Sequence, residues 1–124
     1  MSSRTPIAHH HGGISVPSLA ESVAWWSDVM GFTLAQDIDI PVIPAKIAMM
    51  KRGDLRIELF EVEDAHPLPP ERSDMNGDLH VHGHKHIAFA VPDLDQIVTE
   101  MTARGADIVT HKRAPWGAFL FIRD

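Results

Sequence analysis

His11-Gly-Gly-Ile-Ser-Val16-Pro17-Ser18-Leu19 and His86-Ile-Ala-Phe-Ala-Val91-Pro92-Asp93-Leu94 spell one pattern twice, H-x-x-x-x-V-P-x-L, at an offset of 75 residues. A residue before proline is pushed toward extended backbone, so each copy reads as a strand running into a Pro turn. A helix follows each turn. In the first copy Ser18 caps with Glu21 three residues on, Leu19, Val23, Trp26 and Met30 fall on one helical stripe, and Gly31 stops it. In the second, Asp93 caps with Gln96 at the matching position, Leu94, Ile97, Val98 and Met101 form the stripe, and Gly105 ends it.

Further strands are expected after each helix. In the first copy they are Phe32 to Ile40, Lys46 to Lys51, and Leu55 to Val62 beyond an Arg52-Gly53-Asp54 turn. In the second they are Asp107 to His111 and Ala118 to Arg123. The order is βαβββ, then βαββ, with the last strand of the second copy missing from the chain. The expected fold is α+β: two tandem βαβββ modules, about 7–62 and 84–124, forming a curved mixed sheet around a pocket in one domain spanning 1–124. Residues 63–83, rich in Pro, Asn, Gly and charge, form a linker that could also cover a site.

Composition narrows the function. The 124 residues are 44% hydrophobic and 23% charged, enough to bury a core. No apolar run reaches the roughly 18 residues of a membrane span, and the N-terminus lacks a signal peptide's apolar stretch. With no cysteine there is no disulfide, thiolate metal site or cysteine nucleophile, which agrees with a cytoplasmic protein. A net charge of −6, without a basic arm, argues against a nucleic-acid partner. No phosphate-cradling loop or nucleophile elbow is present.

Nine histidines are unusual for this length, and seven sit at 9–11 and at 80, 82, 84 and 86. Strand alternation sorts them. His11, Gly13 and Ser15 share one face of the first strand, and Ile14 and Val16 share the other. His86, Ala88 and Ala90 share one face of the matching segment, opposite Ile87, Phe89 and Val91. Each histidine thus stands beside small residues that leave room for a ligand. On Leu55–Phe60, Arg56, Glu58 and Phe60 oppose the apolar Leu55, Ile57 and Leu59. An inward carboxylate is costly unless it is paired or binds a cation. His11, Glu58 and His86 are the candidate metal ligands; the alternatives are hydrogen-bonded core histidines and a Glu58 paired with Arg56 or a surface lysine. Two imidazoles with a carboxylate suit Fe, Ni, Zn, Co or Mn. Gly13, Ser15, Arg56, Phe60, Ala88, Ala90 and Phe121 are the expected pocket lining. His80, His82 and His84 read as solvated linker residues, and His9 shares the parity of His11.

The paired modules, the H-x4-V opening of each and the Ile57-Glu58-Leu59-Phe60 strand resemble the vicinal oxygen chelate superfamily, which includes glyoxalase I, extradiol dioxygenases and bleomycin-binding proteins. The V-P-S-L and V-P-D-L turns resemble its V-x-D-L turns, and Trp25 to Phe32 resembles its helix end. The resemblance runs from Ile7 to Asp124. It implies a divalent metal held by His11, Glu58 and His86, with a fourth ligand, a Glu, near position 133, nine residues past Asp124. Truncation and a three-ligand variant both remain open. It also implies a small oxygenated substrate, proton transfer through Glu58 as in a lyase or isomerase, and a homodimer with Trp25 and Trp26 or strand edges at the contact. The alternatives are an Fe(II) ring-cleaving dioxygenase and a metal-free binding protein.

Overall fold

In the computed structural model, which describes residues 3–124, the first module forms a four-stranded sheet in the order β1-β4-β3-β2. The strands are β1 (Gly12–Ser15), β2 (Thr33–Ile38), β3 (Ala45–Arg52) and β4 (Leu55–Val62). β3 and β4 are joined by a hairpin whose Gly53 has φ 59°, a left-handed conformation that favours glycine. β1 joins β4 in parallel, with Gly13 opposite Glu58 and Ser15 opposite Phe60. Val16 extends that ladder by donating its N–H to the Phe60 carbonyl at 2.7 Å.

Helix α1 (Leu19–Asp28) covers the apolar face of the sheet. The Ser18 hydroxyl accepts from the Glu21 N–H at 3.2 Å. The Glu61 carboxylate of β4 accepts from the Leu19 N–H at 2.8 Å, tying the helix start to the sheet. Trp26 stacks edge-on against Phe32 at 5.0 Å and is buried in the core. Core packing thus accounts for Trp26. Met50 and Leu59, fully buried, fill the space beneath.

The second module is built more lightly. Helix α3 (Leu94–Ala103) starts at Asp93, whose carboxylate accepts from the Gln96 N–H at 3.1 Å. It is followed by β5 (Asp107–Ala114) and β6 (Gly117–Arg123), which form a separate two-stranded antiparallel sheet, each longer than expected. Residues 86–91, expected as the strand matching β1, join no ladder. The physical reason lies in the sheet order. β1 is a strand because β4 lies beside it, and the second module has no described counterpart of β4. Only Met101 of this module is among the buried apolar residues, whereas nine come from the first.

The linker is more ordered than its composition suggests. A 3₁₀ turn (Pro70–Ser73) leads into a short helix, α2 (Met75–Leu79), capped by the Asp74 carboxylate. Asp78 then gathers two cations. Arg72 Nε donates to it at 2.8 Å, and Lys85 Nζ lies 3.4 Å from the same oxygen. Lys85 also donates to the Asp78 and Val81 carbonyls, and Arg72 to the His84 carbonyl. The clamp joins the linker to the start of the second module.

The Arg72 hydrogen bond, with help from Lys85, holds the Asp78 carboxyl below the ordinary carboxylate range against the opposing effect of desolvation. The Leu19 N–H and then Lys46 do the same for Glu61. A carboxyl with a depressed folded pKa stabilises the fold above its unfolded pKa, and that contribution is lost as pH falls through the folded value. Stability should therefore drop below about pH 4. Asp78→Asn should be less stable than the parent at pH 7 and show a shallower acid loss, as measured by urea unfolding across pH. Leu59→Ala should cost about 2–5 kcal/mol in the same assay, because a buried Leu leaves a cavity when truncated.

Candidate metal centre

The parallel register fixes the first half of the site. With Gly13 opposite Glu58 and Ser15 opposite Phe60, the side of β1 that carries no bulk faces the side of β4 that carries the carboxylate. Ile57 and Leu59 on the opposite side are buried, so the face of Glu58 is dictated by the core. His11, just before β1, places Nε2 3.7 Å from Glu58 Oε2. The carboxylate side chain is 19% exposed and the imidazole 37%, so the pair lies at a mouth open to solvent on the histidine side.

Gly13 has a local reason. A Cβ built there would lie 3.2 Å from Cε2 of Phe60, so any side chain at this position must push the ring aside. The Phe60 ring thus occupies part of the space that the small-residue face leaves.

His10 was not anticipated. Its Nδ1 lies 2.7 Å from Nδ1 of His11, with the two rings edge-on at 5.0 Å. Alternation places neighbours on opposite faces of a strand, but residues 3–11 are not in a strand, so parity does not apply to them. One of the two nitrogens donates and the other accepts. Either way His11 spends Nδ1 on His10 and turns Nε2 toward Glu58.

The second half of the site is arranged differently. The His86 ring meets Phe121 edge-on at 5.3 Å, and Phe121 meets Phe119 at 5.6 Å. Ile87 is the side chain of this segment that reaches β1, with Cδ1 3.7 Å from the Cβ position of Gly12, while Phe89 packs toward Phe32 at 6.2 Å. Ala88 and Ala90 are exposed, and Arg56 is half-buried opposite Lys51. The structure brings His11 and Glu58 together. It does not join His86 to them: among the described residues, no three His, Asp or Glu side chains gather as a metal-holding group. Two clefts flank this region. One, about 300 Å³, lies between α1 and the sheet beside Glu61 and Lys46. The other, about 350 Å³, lies under α2 against Lys112, Phe119 and Arg123.

Residues 10–119 match the glyoxalase/bleomycin resistance protein/dioxygenase superfamily. The chain belongs to that superfamily. It is 30% identical over 118 residues to the "Uncharacterized protein YaeR" of Escherichia coli (strain K12), covering 93% of this chain and 86% of that protein. A glyoxylase/bleomycin resistance protein/dioxygenase domain from Frankia sp. EAN1pec shares the fold with a TM-score of 0.76 at 22% identity, covering 97% of this chain and 85% of that one. A glyoxalase I variant from Zea mays superposes with a TM-score of 0.69 at 18% identity, covering 93% of this chain and 40% of that one. The fosfomycin resistance protein FosX of Mesorhizobium loti gives 0.63 at 15% identity, with 97% and 85% covered. These likenesses establish the mixed α+β fold, and the superfamily includes enzymes with different reactions.

In this superfamily member, the donor set at the mouth is one imidazole and one carboxylate. Their separation is longer than a hydrogen bond but short enough for both to touch one divalent cation at bond lengths of about 2.0–2.2 Å. The chemistry of the pair therefore suits a cation. Gly13→Val should displace the Phe60 ring and crowd this face. The expected result is a changed environment for His11 and Phe60 in proton NMR with cooperative unfolding retained. Unchanged His11 and Phe60 signals would contradict the assigned face.

Proposed function

We propose that this chain is a metal-dependent enzyme that binds a small substrate through adjacent oxygens and moves a proton within it, as a lyase or isomerase. The observation that supports this reading is the His11–Glu58 pair, set on a face cleared of bulk beside the core. His11, Glu58 and His86 would hold the cation, which could be Fe, Ni, Zn, Co or Mn, with His86 the donor that must still be drawn in. When bound, such an ion supplies Lewis-acid polarisation of the substrate oxygens.

The chain's own residues supply the rest. Glu58 would be the base: its carboxylate takes a proton from the carbon bearing one of the adjacent oxygens and returns it to the neighbouring carbon, while the hydroxyl proton passes from the first oxygen to the second, so atoms and charge balance over the cycle. His11, fixed by His10 on one nitrogen, orients the carboxylate's neighbour and keeps its other nitrogen turned to the site. Phe60 offers an apolar wall beside Gly13, with Ser15 opposite it across the ladder, and Arg56 on the same face of β4 is placed to meet an anionic group. Ala88, Ala90 and Phe121 would line the site only once His86 is drawn in.

A homodimer and a cytoplasmic location belong to this proposal. Among the described residues no helix is long and apolar enough to cross a membrane.

A metal-free small-molecule or antibiotic binder is the second reading, and it is favoured by the separation of His86 from the His11–Glu58 pair. An Fe(II) ring-cleaving dioxygenase is disfavoured by the carboxylate at position 58, because the resemblance to that class makes this position a non-ligand.

Calorimetric titration with Ni, Zn and anaerobic Fe(II) separates these readings. His11→Ala, Glu58→Gln and His86→Ala should each weaken binding by well over 100-fold, because each removes a direct donor. His82→Ala should change it by less than tenfold, below even the roughly 10–100-fold typical of an outer-shell partner. Wild-type affinity in His86→Ala and His11→Ala would leave the metal-free binder as the better reading.

A further inference from the structure

The cleft of about 350 Å³ beneath α2 opens on the face of the β5–β6 sheet, and none of the candidate metal ligands lines it. The ladder sets Thr110 opposite Phe121 and Lys112 opposite Phe119, so these four side chains share that face. Met75 and Asn76 of α2 close the other side. The volume lies at the small end of the roughly 300–1,000 Å³ typical of ligand pockets, enough for one ring with a short substituent.

The wall of the cleft is flat and held in place. Phe119 stacks on Trp116 with ring planes 7° apart and centroids 5.4 Å apart. It also meets Phe121 at 85° and 5.6 Å, and Phe121 is set edge-on against His86 at 5.3 Å. Contacts from two directions fix the Phe119 ring, so little side-chain freedom is left to lose when a ligand meets it. Trp116 stays 77% exposed while making its stack. A fixed ring favours a planar aromatic partner, either offset-stacked or edge to face.

Around this wall most charges are already engaged. Arg123 pairs with Asp107 at 3.5 Å and donates to the Ser73 carbonyl at 3.0 Å, bracing the linker over the sheet. Arg113, on the opposite face of β5, holds Asp95 of α3 at 3.1 Å. The Asp74 carboxylate accepts from the Gly77 N–H at 2.9 Å. Lys46 and Lys85 each have a carboxylate partner, whereas Lys112, beside Phe119 on the cleft wall, has none among the described residues. One unengaged cation next to a fixed ring matches a ring that carries one carboxylate. The Thr110 hydroxyl and the Asn76 amide supply neutral donors for its second oxygen. A phosphate's second charge would meet no further free cation here, and Asp74 would oppose it.

We propose that this cleft binds a small planar aromatic carboxylate, with its ring against Phe119 and its carboxylate at Lys112. Benzoate is the probe. Cyclohexanecarboxylate keeps the charge but not the plane, and benzamide keeps the plane but not the charge. The 124-residue protein, labelled with nitrogen-15 and kept in a metal chelator, is titrated with each and followed by NMR. Benzoate should give saturable shifts at the amides of Thr110, Lys112 and Phe119 and at the Trp116 indole N–H, with a dissociation constant on the order of millimolar, as expected of so small a ligand. Cyclohexanecarboxylate should bind about 2–10-fold more weakly, for want of the aromatic contact. Benzamide should bind weaker by roughly tenfold or more, for want of the charge-assisted hydrogen bond. Lys112→Met, at an exposed position that the fold does not depend on, should weaken benzoate by the same factor and leave benzamide unchanged. Scattered or non-saturating shifts would overturn the proposal. So would parent-like benzoate affinity in Lys112→Met, or equal affinity for benzoate and cyclohexanecarboxylate. Shifts centred on Gly13 and Glu58 would overturn it too, by assigning the probe to the metal-centre mouth. With the metal withheld, none of these results depends on metal binding at His11 and Glu58, so the cleft and the proposed chemistry fail separately.

Discussion

The parallel ladder between β1 and β4 is the constraint from which the rest of the first module follows. Those hydrogen bonds set Gly13 opposite Glu58. Because a strand alternates faces, burying Ile57 and Leu59 beneath α1 leaves Glu58 no choice but the other side. The carboxylate is therefore aimed by hydrophobic burial two atoms of backbone away, and His11 arrives beside it because the chain must enter β1 there. A one-residue slip of the ladder would put Glu58 in the core and Ile57 at the mouth. Core packing thus fixes the geometry of the His11–Glu58 pair without touching either side chain.

The second module shows what happens when that constraint is absent. Its helix is capped in the same way and its turn has the same sequence pattern, so local signals were as strong as in the first. Yet residues 86–91 form no sheet. Strand formation is not a local property: a helix satisfies its own main chain, whereas a strand needs a neighbour. The V-P turns, both caps, both helix stops and the β3–β4 hairpin were legible because short-range chemistry fixes each of them. Gly31 and Gly105, at φ 70° and 74°, are stops of this kind. That 86–91 joins no ladder was not legible, because strand pairing depends on residues distant in sequence rather than on the segment itself.

The site divides the same way. The face of Glu58 and the small-residue side of β1 could be read from strand parity, but that His11 lies beside Glu58 depends on the β1–β4 ladder. The His10 contact could not be read either, because the chain before β1 follows no period that alternation can use. The Asp78 clamp was equally hidden. Its three charged members are 6 and then 7 residues apart, a combination that no single helix or strand period accounts for, and ordinary surface pairs look identical in sequence.

That clamp has a consequence for how the two halves meet. A flexible tether of some twenty residues would let the second module explore a large volume, and the local concentration of each half around the other would fall accordingly. Arg72 and Lys85 both close on Asp78, folding the last two thirds of the tether into a compact knot ahead of His86. The free length between modules is then only the stretch from Glu63 to about Pro69. Halves joined this closely collide far more often than their chain length alone would allow, so a weak interface between them suffices to hold the second half in place. This fits a module with a single buried apolar side chain of its own.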